Sequence, residues 1–169
     1  MLIFLINLVS FFPVLLFLHC LFIFIFKKWL GPAGTFYCSL FILLFSSLLA
    51  LNELVLILIN GNYFYIDFGR WFFCLDLIDS HLVFCVDSLA LIVSTLVLIL
   101  TSLALYFGVE YMYRDAFINR LLYLLNLFAT SVIFLFFCYD FFFNYFCLRM
   151  HRFIFFLVSE FLFHAHLYY

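Results

Sequence analysis

The sequence predicts an all-α fold: a polytopic bundle of transmembrane helices with one short exposed strand or hairpin between the second and third helices. Three observations predict it. The chain of 169 residues is 71% hydrophobic and 9% charged, whereas soluble domains run near half apolar and a quarter charged. So short a chain cannot hide that much apolar surface from water, and lipid is the simplest solvent for it. Five apolar runs, at about 2–26, 36–59, 82–107, 121–139 and 141–163, reach the ~20 residues that cross a hydrocarbon core. Residues 60–81 are too polar to span and separate the second run from the third. The whole chain reads as one membrane domain, residues 1–169.

The first run contains Pro13, a predicted kink. It lacks a basic segment ahead of it, and its cations Lys27 and Lys28 follow it, so it reads as a spanning helix and not as a cleaved signal peptide. "KKWLGPAG" then supplies the breakers Gly31, Pro32 and Gly34. The second run carries Glu53 near its outer end, in "LALNELVLI". "NGNYFYIDFGRW" opens the exposed segment with Asn60-Gly61 and continues with strand formers from Tyr63 to Ile66. Tyr63, Tyr65 and Trp71 suit a membrane interface. The fourth and fifth runs nearly touch, and "YDFFFN", 139–144, is the predicted turn.

The loops set the orientation. Lys27, Lys28, Arg114 and Arg120 fall in the loops after the first and third runs, whereas the loop after the second holds Arg70 against Asp67, Asp76 and Asp79. The positive-inside rule puts the basic loops in the matrix or cytoplasm and the amino terminus outside. Arg149, His151 and Arg152 near the start of the fifth run oppose that bias, and snorkelling toward the outer headgroups accommodates them.

Net charge is −2, which gives no basic patch for nucleic acid. The six cysteines, Cys20, Cys38, Cys74, Cys85, Cys138 and Cys147, form no CxxC pair and read as small hydrophobes. His164 and His166 alone make a weak metal pair. No phosphate-cradling glycine loop and no nucleophile triad is present, so no catalytic activity is expected of this chain alone. The 30 phenylalanines suit a T-rich gene, as organelle genomes often are.

Polar residues inside the third run need a reason. Asp87, Ser94, Thr101 and Gly108 fall seven apart, with Ser88, Thr95 and Ser102 one residue behind. At helical periodicity they form one stripe, a packing face whose hydroxyls can hydrogen-bond across the contact. A lipid-facing carboxylate costs roughly 3 kcal/mol at midplane, so Asp87 must face protein or water. It reads either as a proton-pathway acid or as a helix cap assisted by Ser88, and Glu53 shares the ambiguity. Glu110 and Asp115 read as solvated loop charges, Asp140 as a turn residue, and His19 as a packed, hydrogen-bonded core histidine.

"YFYIDFGRWF", "VDSLALIVSTLVLILTSLALYFGVEYMYRD" and "NRLLYLLNLFATSVIFLFF" together resemble the amino-terminal part of the antiporter-like subunit 5 family of mitochondrial NADH:ubiquinone oxidoreductase, respiratory complex I. The family's exposed "Y-I-D-x-G-x-W" corresponds to Tyr65-Ile66-Asp67-Phe68-Gly69-Arg70-Trp71, and its "F-D-S-L" to Val86-Asp87-Ser88-Leu89. Its "Y-S-x-x-Y-M" falls at Tyr106 to Met112 and its "Y-L-x-L-F" at Tyr123 to Phe128. "KKWLGPAGTFYCSL" resembles its first inner loop. The likeness spans roughly Phe26 to Phe146.

The resemblance implies a multi-pass protein of the mitochondrial inner membrane, in the distal arm of the complex, where buried Glu, Lys and His carry protons. Redox chemistry then belongs to other subunits, which hold NADH, FMN, Fe-S clusters and ubiquinone; this chain itself is expected to hold no cofactor. Implied partners are the other membrane-arm subunits and lipids such as cardiolipin. The family's "G-W-E-G-x-G-L" would put a key Glu at Met150, but the chain reads Leu148-Arg149-Met150-His151-Arg152. Freely chosen codons for 148–161, read one nucleotide later with TGA as tryptophan, return a Trp-Glu pair there. The expectation is therefore a truncated or split subunit whose tail after about Cys147 is an out-of-frame reading; either a separate chain supplies the remainder and its lysines, or the cell shifts frame. Alternatives are a purely structural membrane-arm subunit without a proton path, or an unrelated small homo-oligomeric transporter.

Overall fold

The structure is a computed structural model. It describes residues 12–61, 63–74, 78–111 and 118–167, with the backbone alone at 27, 28, 60, 64, 71–74, 78–80 and 162–167. Helix α1 (Phe12–Asn60) leads into strands β1 (Phe64–Cys74) and β2 (Ile78–Val86), followed by helices α2 (Ser88–Tyr111), α3 (Ile118–Phe137) and α4 (Phe141–Leu167). The predicted architecture is the one that forms. Among the described residues, four helical stretches are long and apolar enough to cross a membrane: Trp29–Ile59, Ser88–Tyr111, Ile118–Phe137 and Phe141–Phe161. The described part of the first run, Phe12–Phe26, is a shorter apolar helix, and residues 2–11 lie outside the described residues.

Helix α1 has two limbs joined at Gly31, where φ is 67° and ψ is 179°. Three local effects place the break there. A proline drives the residue before it out of the helical region. Glycine adopts positive φ with little strain. Pro32 then opens the second limb, where its missing N–H has no helical partner to lose. The loop expected over "KKWLGPAG" thus contracts to one residue.

Ring contacts fix the direction of the first limb. Phe12 meets Phe137 at 5.3 Å, Phe17 meets Phe134 at 5.9 Å, and Phe24 meets Tyr123 at 5.6 Å, so the first limb runs antiparallel to α3. Thr35, early in the second limb, lies 3.0 Å from Asn119 at the start of α3. The second limb then returns toward the hairpin and packs between α2 and α3. Leu43, Leu91, Leu98, Leu122, Ile133 and Phe137 fill the shared core.

The hairpin closes one end of the bundle. Its strands are antiparallel, pairing Phe64 with Val86, Ile66 with Phe84 and Arg70 with His81, with irregular register on both sides of Arg70. Gly69 sits at that irregularity with φ of 99°, and its N–H donates to Asp67 Oδ1 at 2.8 Å. Asp67 also meets His81 Nδ1 at 3.3 Å. The third span was expected to begin at residue 82, and here the structure corrects the sequence reading. Residues 82–86 complete β2, and the helix begins at Ser88. Phe84 and Val86 are buried and alternate with half-buried Val83 and Cys85, a period of two that belongs to a strand. Phe84 plugs the bundle end against Phe68, Phe134 and Phe143, at 5.2, 5.5 and 6.5 Å.

The turn after α3 is shorter than "YDFFFN" predicts. Residues 141–144 are already helical, and Asn144 N–H donates to Asp140 C=O at 2.9 Å. Tyr139 N–H donates to Val83 C=O at 3.0 Å and ties this turn to the hairpin. Helix α4 leans on α3 and the end of β2, and much of its surface is exposed phenylalanine, including Phe153, Phe155 and Phe156. Exposed aromatic residues mark both ends of the bundle: Tyr63, Tyr65, Tyr139 and Tyr145 at the hairpin end, and Trp29, Tyr37, Tyr106 and Tyr111 at the other. Such belts suit the two faces of a bilayer. The side chain of Trp71 lies outside the described residues.

Replacing Gly31 with alanine isolates the backbone cost of the break, because no atom lies within 4 Å of an added Cβ. The variant is expected to lose about 1–3 kcal/mol, the scale of a non-glycine residue held in this positive-φ extended region, read as a lower thermal midpoint by circular dichroism in micelles. An unchanged midpoint would contradict the geometry at Gly31.

Candidate functional site

The two acids singled out in the sequence have different surroundings. Asp87 is exposed one residue ahead of α2. Its Oδ1 accepts the Ser88 N–H at 2.6 Å and lies 3.3 Å from Ser88 Oγ. Its carbonyl accepts the Leu91 N–H at 3.0 Å. A carboxylate placed there occupies an otherwise orphaned helix donor and meets the positive end of the helix dipole. Asp87 thus stands just ahead of α2, with its carboxylate on the N–H of the first helical residue.

Glu53 is fully enclosed, at 0% exposure, on the second limb of α1 between the core residues Ala50 and Ile57. It stands about 10 Å along the helix axis from the hairpin end of that limb. Buried carboxyl groups in an apolar interior are costly and mark functional positions more often than surface ones do.

The hydroxyl stripe of α2 faces protein. Ser94, Thr95, Thr101 and Ser102 are buried, and Ser88 and Gly108 are half-buried at its two ends. A Cβ on Gly108 would meet Leu121 Cδ2 at 3.5 Å, so α2 and α3 approach closely there. The expected hydrogen bonds across the contact are replaced by local ones. Ser94 donates to Leu91 C=O at 2.8 Å, Thr95 to Ile92 C=O at 2.9 Å, and Ser102 to Ile99 C=O at 2.7 Å. Thr101 reaches Val97 and Leu98 carbonyls at 2.9 and 3.1 Å. The preceding turn of a helix is always within reach of a hydroxyl, and the stripe therefore contributes small surfaces already satisfied by their own helix.

Sequence reasoning missed a second set of enclosed polar residues: Thr35, Ser39, Ser46 and Ser47 on α1, and Asn126 and Thr130 on α3. The signal was present. Thr35 and Ser39 are four apart, as are Asn126 and Thr130, and Ser39 and Ser46 are seven apart. Thr35 Oγ1 lies within 3.0 Å of the Gly31, Pro32 and Asn119 oxygens, so one hydroxyl links the kink to α3. Cys20 Sγ and Thr130 Oγ1 are 3.8 Å apart.

That contact brings His19, next to Cys20 in the chain, to the level of the α3 turn that carries Asn126 and Thr130. His19 is 4% exposed. The packed part of its expected role is found and the hydrogen-bonded part is not: neither ring nitrogen has a partner among the described residues. Asn126 Nδ2 donates to Leu122 C=O at 2.8 Å, while its Oδ1 has no partner among the described residues. Polar groups enclosed this way are commonly satisfied by ordered water. The interior therefore encloses a carboxyl, Glu53, and an imidazole, His19, two side chains able to exchange protons.

Around α4 the basic residues behave as surface groups. Arg149 folds back over Tyr145, its guanidinium 5.1 Å from the ring centroid and its Nε 2.8 Å from the phenol oxygen. That direction leads toward the start of α4, as snorkelling requires. Arg152 and Glu110 are exposed, whereas His151 Nδ1 meets Ser131 Oγ at 3.1 Å. Arg114 and Asp115, and the side chains of His164 and His166, lie outside the described residues. Among the described residues no group of three His, Cys, Asp or Glu is placed to hold a metal.

Outside the spans, Cys85 on β2 reports on Asp87. Burial pushes its thiol above the ordinary value, and the Asp87 carboxylate pushes it further, while a hydrogen bond from Tyr65 pulls the other way. Since the thiolate is the nucleophile, removing the carboxylate raises the thiolate fraction at a given pH. Asp87→Asn, which keeps a capping side chain, is expected to shift the pH–rate profile of Cys85 maleimide labelling to lower pH. A profile unchanged by the substitution would show that Asp87 does not act on Cys85.

Comparison with the models of known protein families finds no match, and comparison with curated proteins finds none.

Proposed function

We propose that this chain is the amino-terminal part of a proton-translocating, antiporter-like subunit of respiratory complex I, working in the mitochondrial inner membrane. Glu53 carries the proposal: a carboxyl group fully enclosed within an apolar spanning bundle. The order of the "Y-I-D-x-G-x-W", "D-S-L" and "Y-L-x-L-F" segments, and the hairpin between α1 and α2, support it. In this role Glu53 holds a proton, and charge moving in neighbouring parts of the assembly changes its affinity for that proton, because charges couple strongly where the dielectric is low. Asp87 secures the start of α2. Electron transfer, and the cofactors that perform it, belong to the other subunits.

The test uses the assembled complex from native membranes. Glu53→Gln keeps size and hydrogen-bonding capacity but cannot exchange a proton. It is expected to slow proton transfer through this module by roughly 100-fold, the scale on which positioned acid–base groups act, with the amount of assembled complex unchanged. Asp87→Asn is expected to pump like the wild type. A chain that purifies apart from any NADH-oxidising assembly would overturn the proposal. Loss of assembly with normal pumping in the remainder would assign a structural role instead.

A further inference from the structure

The sharpest unassigned feature lies at the corner between α3 and α4. Cys138 directly follows α3, and Cys147 lies on the second turn of α4. Both are buried, and their sulfurs are 3.6 Å apart, with either thiol able to donate to the other. A disulfide needs ~2.05 Å, so the sulfurs would close by about 1.5 Å. Cys147 also lines a cavity of about 390 Å³, bounded by Phe17, Cys20, Tyr123, Thr130 and Met150 among others. The cavity lies between the first limb of α1, α3 and α4. Phe17, Phe146 and Met150 at its lining are exposed, so it opens on the side that faces lipid. Cys138 is not part of this lining.

We propose that Cys147 and Cys138 form a redox-active dithiol, oxidised to a disulfide by apolar organic hydroperoxides that enter through this cavity. The lining fits that class of oxidant: apolar walls admit the organic group, and one thiol stands at the wall. Cys147, as thiolate, attacks the terminal peroxide oxygen. The O–O bond breaks, the organic oxygen leaves as an alcohol after taking up a proton, and Cys147 becomes a sulfenic acid. Cys138 then attacks the Cys147 sulfur. The S–S bond forms, and the sulfenic oxygen leaves as water with the Cys138 proton. Overall, two thiols lose two electrons and two protons, and one hydroperoxide is reduced to one alcohol and one water.

The product is a covalent clip between the end of α3 and the second turn of α4. The same corner is already joined to the hairpin, through Tyr139 N–H on Val83 C=O and the bridge between Phe84 and Cys138. Oxidation would thus lock the helical corner beneath the hairpin. This inference stands independently of the role proposed for Glu53.

The experiment treats the full chain in lipid nanodiscs with cumene hydroperoxide, alkylates the remaining thiols, and reads peptides by mass spectrometry. The expected product is a Cys138–Cys147 cross-link, two hydrogens lighter than the dithiol and reversed by a phosphine reductant, with Cys20, Cys38 and Cys85 still alkylated. Cys138→Ser is expected to leave Cys147 as a sulfenic acid that dimedone traps; Cys147→Ser is expected to leave Cys138 unoxidised. Full alkylation of both cysteines in the treated wild-type chain would overturn the proposal, and so would a Cys20–Cys147 cross-link in its place.

Discussion

Hydrocarbon offers no hydrogen bonds, and this constraint organises the whole molecule. Each backbone N–H and C=O at membrane depth must be paired within the protein, which is why the apolar runs are helical and why the strands lie at one end of the bundle. Side-chain hydroxyls obey the same rule. Ser46, Ser47, Ser94, Thr95, Ser102, Thr130 and Ser131 each donate to a carbonyl of their own helix, at 2.7–2.9 Å. Once satisfied locally they impose little direction on their neighbours. Helices can then pack on small surfaces without needing a matched polar partner opposite.

Against that background the exceptions carry information. Glu53 places an acid inside the bundle. His19 encloses a ring whose nitrogens the described residues leave unpaired. Each is expensive in such an interior, and each stands on α1 beside packed apolar residues, Leu16 and Ile23 near His19 and Ala50 and Ile57 near Glu53.

Much of this was legible in the sequence, for definite physical reasons. Length and hydropathy point to the long apolar helices, since a helix must cover the hydrocarbon thickness; of the first run the described residues show the shorter helix Phe12–Phe26. The seven-residue spacing of Ser94, Thr101 and Gly108 gave the buried face of α2. The start of α2 was misread because Leu82 to Val86 is as apolar as the helix that follows. Hydropathy does not separate a buried strand from a helix; the Asp87-Ser88 cap was the signal that does. The contraction at Gly31 follows from Gly-Pro chemistry, but its extent depends on how the limbs pack. The Cys138–Cys147 contact was not legible, because nine residues of separation become contact only when a tight corner folds α4 back onto α3. The unpaired nitrogens of His19 also depend on what surrounds the ring, which no local pattern encodes.

The central claim is that the hydroxyl face of α2 is turned into the bundle while its opposite face meets lipid. Spin labels placed singly along α2 in a bilayer measure this through collision with dissolved oxygen, which concentrates in the hydrocarbon. Leu96, Ile99 and Leu103, all exposed, should report high accessibility. Ser94, Leu98, Thr101 and Leu105, all buried, should report low accessibility, with the helical period between them. High oxygen access at Ser94 and Thr101, equal to that at Leu96 and Leu103, would contradict the bundle described here.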